Sequence, residues 1–270
     1  MIDAHFHIWQ LDRGDYGWLT PAMGSIHRDV TLNAWRRESR SLGVIGGVVV
    51  QAAPTEEETR FLLAQASLAT DVLGVVGWVD LLAVDATQRI VALAAHPKLK
   101  ALRPMLQDIA DPDWILQSGL FPAFEAMLAC NLAFDALVKP EHLSRIQTLA
   151  QRHPSLRIVV DHGAKPDIAH DQWQDWADAL ARLATEPHVV CKLSGLWTEA
   201  APGAAPTALT RYMRHILDCF GADRGMWGSD WPGLERAGQY ADWLAHVLAC
   251  LTPSERVAVT QATARRAYCL

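Results

Sequence analysis

Eight short runs rich in Val, Ile, Leu and Ala recur along the chain: Met1–Ala4, Val44–Val50, Val72–Val79, Ala101–Met105, Leu132–Val138, Arg157–Val160, His188–Leu193 and Gly225–Ser229. None alternates strictly between apolar and polar positions. That is the pattern of parallel strands covered on both faces. Most are separated by segments with helical spacing; in Thr55–Thr70, for example, Phe61, Leu62, Gln65 and Leu68 share one face. Asp85–Ala95, Pro122–Cys130, Pro140–His153, Asp171–Ala184 and Pro206–Phe220 read the same way, and Pro122 and Pro140 stand where proline fits a first helical turn. This alternation predicts one α/β domain, residues 1–270, folded as a (β/α)8 TIM barrel. An open doubly wound sheet would carry a glycine-rich phosphate loop after its first strand, where this chain has HFHIW. Gln10–Arg28, punctuated by Gly14, Gly17, Pro21 and Gly24, is expected to be a long loop folded over the barrel mouth.

Composition removes several classes of function. The formal net charge is -6 and no Lys/Arg-rich run occurs, which argues against nucleic acid or an anionic membrane surface as a partner. No apolar stretch approaches the roughly 18 residues of a spanning helix, and the N-terminus has no signal-peptide pattern. The five cysteines are scattered, without CxxC spacing, and read as reduced thiols of a cytoplasmic protein. Eleven tryptophans are more than usual; several are expected to fill core, and a pocket for a sugar-like ring could also use some of them.

Barrel enzymes draw their reactive groups from the C-terminal ends of the strands, because those ends share one rim. The predicted runs close on polar residues. In order these are His5 and His7, Gln51, Trp78 and Asp80, Arg103 and Gln107, Lys139, Asp161 and His162, Lys192 and Ser194, and Asp230 and Trp231. Packing alone does not require this. His5 and His7, two residues apart, share one side of a strand and can converge on one metal ion or one carbonyl oxygen. His162 follows an apolar strand into a turn in IVVDHGAKP. Its neighbour Asp161 is expected to face the other way, holding a loop or orienting a histidine. Asp230, in MWGSDWP, is a candidate ligand, general base, or both. The planar fork of Arg103 suits a carboxylate or two sugar oxygens. Lys139, Lys192, Gln51, Trp231 and, in the mouth loop, His27 are further candidate substrate contacts. Cys191 has no base beside it and reads as buried filler, and no G-x-S-x-G elbow supports a serine nucleophile.

DAHFHIW with DYGWL, then FDALVKPEHL, VVDHGAKP, CKLSGL, MWGSDWP and TARRAYCL follow one another from residue 2 to 270. In that order they resemble the amidohydrolase superfamily, nearest the sugar-lactonase branch of L-fuconolactonases and L-rhamnonolactonases. The resemblance implies a distorted barrel that hydrolyses a cyclic ester, an aldonolactone, to its open hydroxy acid. It implies His5, His7, His162 and Asp230 as the catalytic set and as the ligands of any metal. Lys192 stands where binuclear members carry a further histidine, and only Lys139 lies near their bridging position. One divalent ion, zinc and dispensable, or none at all is therefore implied rather than two. On this reading Asp230 takes the proton of the attacking water and returns it to the ring oxygen. His5, His7 and His162 polarise the carbonyl or hold the water, while Arg103, Lys139 and Lys192 offset negative charge. Trp231, Trp18 or Trp78 would stack on the ring. The alternatives are a hydrolase of a carboxylated pyrone- or muconolactone-type lactone, a metal-dependent decarboxylase, and a noncatalytic sugar-acid binder. The oligomeric state stays open, a homo-oligomer included.

Overall fold

The computed structural model describes residues 1–270. All eight expected strands are present: β1 Ile2–Phe6, β2 Gly46–Val50, β3 Val72–Gly77, β4 Leu99–Leu102, β5 Ala133–Ala136, β6 Ile158–Val160, β7 Val189–Leu193 and β8 Gly225–Trp227. They pair in parallel in sequence order from β1 to β8. The ring closes between β8 and β1 through an isolated Phe6–Trp231 bridge, in which His7 N donates to Trp231 O and Asp230 N to His5 O, both at 2.8 Å. The result is a distorted (β/α)8 barrel, as expected. Several apolar runs outlast their strands: Val79, Met105, Val138 and Ser229 lie past the sheet, because the chain leaves it there to build the rim.

The crossover helices are α1 Leu32–Ser39, α2 Glu56–Ser67, α3 Ala86–Ala94, α4 Phe121–Ala129, α5 Leu143–Arg152, α6 Gln174–Leu183, α7 Thr210–Phe220 and α8 Tyr240–Cys250, followed by α9 Pro253–Val257 and α10 Thr263–Tyr268. Thr31 and Thr55 cap α1 and α2 by accepting from Ala34 N and Glu58 N. Pro140 and Pro206 head short 3-10 turns, so α5 and α7 start later than the proline signal implies. Helix α1 escapes the periodicity because only Leu32, Trp35 and Ser39 of its eight residues are buried.

The large core lies between strands and helices. A second, smaller core fills the barrel's N-terminal half. Ile2, Ala4, Val48, Val50, Val76, Ala101, Ala133, Val159 and Met226 meet Ala264, Ala267 and Tyr268 of α10, which plugs that end. Each large side chain buried there contributes about 1.5–3 kcal/mol. Between Asp3 and Phe6 the β1–β2 register slips by one residue, a bulge in β1. Ala4 belongs to this inner core, yet the next residue, His5, also points into the barrel, toward Lys192. The bulge is what breaks the alternation and aims His5 inward.

Candidate active site

A cavity of about 730 Å3 opens at the C-terminal end of the barrel, lined by His7, His162 and Asp230 and by Trp9, Trp18, Trp78 and Trp114. Its size suits a small-molecule site. The loop after β1 covers part of it, supplying Asp15, Gly17, Trp18 and Ile26. Trp18 Nε1 donates to Ala52 O at 2.7 Å. Glu235 latches this loop to the segment after β8. It accepts from Arg28 at 2.8 and 2.9 Å and from Trp231 Nε1 at 2.9 Å.

Local backbone shape decides how the reactive groups meet. His162 and Asp230 have φ of 55° and 57°, in the left-handed region that costs of order 1–3 kcal/mol for such residues. These sharp exits from β6 and β8 turn both side chains back over the barrel axis. Glycine makes the space: a Cβ on Gly195 would lie 2.5 Å from His162 Nδ1, and one on Gly228 2.7 Å from His5 Cβ. Asp3, fully buried, accepts from Ser229 N, Ser229 Oγ, Trp35 Nε1 and Tyr240 OH at 2.7–3.0 Å. This knot pins the β8 exit to β1 and so sets Asp230 opposite the histidines.

Four atoms face one another. His5 Nε2 lies 3.2 Å from His7 Nε2 and 3.6 Å from Asp230 Oδ1; His7 Nε2 and His162 Nε2 lie 3.3 and 3.8 Å from the same oxygen. His7 Nδ1 donates to Val50 O at 2.8 Å, which leaves the Nε2 of a neutral ring with its lone pair turned inward. Lone pairs and a carboxylate crowded like this need a positive centre among them, a proton or a metal ion. Zinc bonds of about 2.0–2.1 Å set tetrahedral ligands roughly 3.3 Å apart, close to the spacing here. The cluster of His5, His7 and Asp230, with His162 beside it, therefore fits one divalent ion. Burial pushes His5 well below the ordinary imidazole range, reinforced by Lys192. Burial also lowers His162 to about 4 against the pull of Asp230. At Asp230 burial works upward, but His162, His7 and His5 outweigh it and hold the carboxylate ionised.

The other expected contacts divide. Arg103 reaches the cavity, but its fork is held by Asp161 Oδ2 at 3.0 Å and by the carbonyl and side chain of Gln51. Gln51 is fully buried and bonds back to Arg103 O at 2.9 Å, so it supports the arginine and does not line the cavity. Lys192 does not line it either. It is fully buried beneath His5, with Nζ 2.7 Å from Asp135 Oδ2, 2.8 Å from Asp161 Oδ1 and 3.2 Å from His5 Nδ1. Residue 192 lies within β7 and faces the barrel interior below the rim. Lys139 is exposed outside the cavity, its backbone N bonded to His142 Nδ1, because the β5 loop carries it outward. His27 is half-buried and outside the lining, which takes its neighbour Ile26 instead. Trp231 is buried and engaged with Glu235, while Trp18 and Trp78 do line the cavity. Asp161 does not face away from the site. The chain turns tightly over Asp161–Ala164, strand alternation lapses, and Asp161 points inward beneath His5. Asp3, Asp135 and Tyr268 were not among the expected residues. The one signal of Asp3 and Asp135 is a charged group inside an apolar stretch; Tyr268, which follows Arg265 and Arg266, has none.

Parallel barrel, strand-end histidines and a strand-8 aspartate define an amidohydrolase, and the amidohydrolase family model matches residues 2–270: the chain belongs to that family. Among curated proteins it is 47% identical over 264 residues to an L-fucono-1,5-lactonase of Burkholderia ambifaria, covering 98% of this chain and 91% of that one. It is 36% identical to an L-fucono-1,5-lactonase of Burkholderia multivorans, covering 100% and 96%. A crystal structure of an amidohydrolase from Burkholderia multivorans with bound zinc superposes with a TM-score of 0.94 at 34% identity, covering 100% and 99%. No helix of this chain is long and apolar enough to cross a membrane.

Proposed function

We propose that this protein hydrolyses a neutral sugar-derived lactone, such as L-fucono-1,5-lactone, to the open aldonic acid. The carrying observation is the Asp230 carboxyl group set among three imidazoles at the base of a tryptophan-lined cavity. Asp230 accepts a proton from the water that attacks the ester carbonyl carbon. As the ring C–O bond breaks, it returns that proton to the departing oxygen, which becomes the hydroxyl of the acid. One carboxylate serves both steps because the leaving oxygen stays tethered to the product. His162, neutral at ordinary pH and braced by Ser194 Oγ at 2.9 Å, and His7, braced by Val50 O, orient the water and the carbonyl. His5, His7, His162 and Asp230 are the residues that would hold a zinc ion, which when bound supplies Lewis-acid polarisation of the carbonyl and of water. Trp18 and Trp78 offer faces for the C–H side of a sugar ring.

The lining charge favours a neutral substrate over a carboxylated pyrone or muconolactone. Asp15, Asp80, Asp108, Glu199 and Asp230 face the cavity. Against them stand Arg103, Lys165 and Arg236, of which Arg103 is paired with Asp161 and Lys165 lies 3.5 Å from Glu199. The test is proton release with a pH indicator over a panel of aldono-1,5-lactones, before and after chelation. Rapid release with one configuration is expected. Silence with every neutral lactone, with turnover of a carboxylated one, would transfer the assignment to that class. Release of CO2 from an aromatic acid would transfer it to decarboxylation.

A further inference from the structure

Beneath the cavity, His5 Nδ1 lies between a donor and an acceptor. On one side Lys192 Nζ is 3.2 Å away in hydrogen-bonding geometry; on the other, Asp161 Oδ1 is 3.4 Å away. All three side chains are fully buried, so bulk solvent does not reach these positions. Lys192 is anchored from below by Asp135 Oδ2 at 2.7 Å, and Tyr268 OH on the plug helix donates to that same oxygen at 2.7 Å. Asp161 Oδ2 is taken by Arg103, whereas Asp161 Oδ1 accepts no well-formed hydrogen bond although it is ion-paired with Lys192. A buried carboxylate oxygen left in this state beside an imidazole nitrogen is a spare acceptor.

We propose that Lys192 and Asp161 form a two-sided seat for His5 Nδ1, so that this imidazole can carry its proton on either nitrogen. In the metal-free protein Lys192 donates to Nδ1, and the ring proton sits on Nε2. There it points at His7 Nε2, whose lone pair is turned inward because His7 Nδ1 donates to Val50 O. That proton is the positive centre the crowded donors require. When Nε2 would serve a metal ion, the same proton moves to Nδ1 and is accepted by Asp161 Oδ1, and Lys192 keeps its hydrogen bond to Asp135 and its ion pair with Asp161. The proton is conserved within the ring. Lys192 and Asp161 are thus positioning residues that act through His5, Lys192 favouring the metal-free arrangement and Asp161 the metal-bound one. The metal arm of this inference rests on the zinc placement proposed above; the metal-free arm does not.

The experiment is long-range 1H–15N correlation NMR of the full chain with 15N-labelled histidine, with His5 identified by the signals lost in His5→Asn. In chelated wild-type protein, His5 is expected to be protonated at Nε2 and bare at Nδ1; on adding zinc the two should exchange. A proton on Nδ1 in the metal-free protein, or on both nitrogens, overturns the proposal. So does zinc addition without a change at His5, and lactone turnover, measured separately, reports whether the hydrolytic assignment survives that result. Asp161→Asn should weaken zinc binding about 10–100-fold, as loss of a partner behind a ligand does. Lys192→Met should strengthen zinc binding and place the metal-free proton on Nδ1. Its retention on Nε2 in a folded Lys192→Met protein would remove Lys192 from the role.

Discussion

The two ends of the barrel are built from the same eight strands and have almost nothing else in common. At the N-terminal end the inward residues are small or apolar and α10 closes the floor. At the C-terminal end the inward residues are His5, His7, His162 and Asp230, the backbone is bent into positive φ, and the space stays open. Sequence position along a strand, more than residue type, decides whether a side chain serves stability or chemistry. Between the ends lies a buried layer, Asp135, Lys192 and Asp161, that is polar like one end and sealed like the other.

The sharpest way to separate the ends is to disable each in turn. Asp230→Asn removes the base while keeping the shape, and should lower kcat by about 10²–10⁴-fold with Tm shifted by no more than a few degrees. Near-normal turnover would sink the assignment of Asp230. Met226→Ala, in the sealed half, should do the converse. It should cost about 2–5 kcal/mol of stability, read in denaturant melts, while kcat/KM at 25 °C stays close to wild type.

The contrast also explains what could be read from the sequence and what could not. Strands covered on both faces leave continuous apolar runs, so all eight were legible. The rim was legible because a polar residue ending such a run stands out, and His5, His7, His162 and Asp230 were found that way. Lys192 ends a run just as visibly, yet whether a lysine points up into a cavity or across the barrel depends on one residue of register. The same limit applies to His5, whose inward aim comes from a bulge in β1 that no periodicity shows. Asp135 and Tyr268 come together from 133 residues apart, and only the closed barrel puts them in contact.

Two smaller effects sharpen the comparison. Gly195→Ala places a methyl group against the His162 ring at φ +62°, and should cost about 1–3 kcal/mol while lowering kcat more than its stability loss explains. Unchanged kcat would mean that His162 has freedom to move. Asp71 lies far from the catalytic rim, in the turn that leads into β3, where Arg36 and Arg40 hold its carboxylate down to about 2 despite partial burial. A folded value below the ordinary one stabilises the protein above pH 4, and that stability is lost as pH falls toward 2. Asp71→Asn should therefore cost about 1–2 kcal/mol at neutral pH, flatten the acid limb of the stability curve in that window, and leave kcat/KM unchanged.

The seam of the ring has a consequence for how the molecule assembles. His7 and Asp230 are separated by 223 residues and meet where β1 and β8 close on each other. A folding intermediate with most of its parallel strands paired, but with this seam open, can have near-native secondary structure and no reactive centre. Bringing such distant segments together is slow, since loop-closure entropy is lost before the contact is gained. In a refolding time course, regain of catalysis should trail regain of the helical circular-dichroism signal, and the lag between them is a clock for the last closure of the barrel.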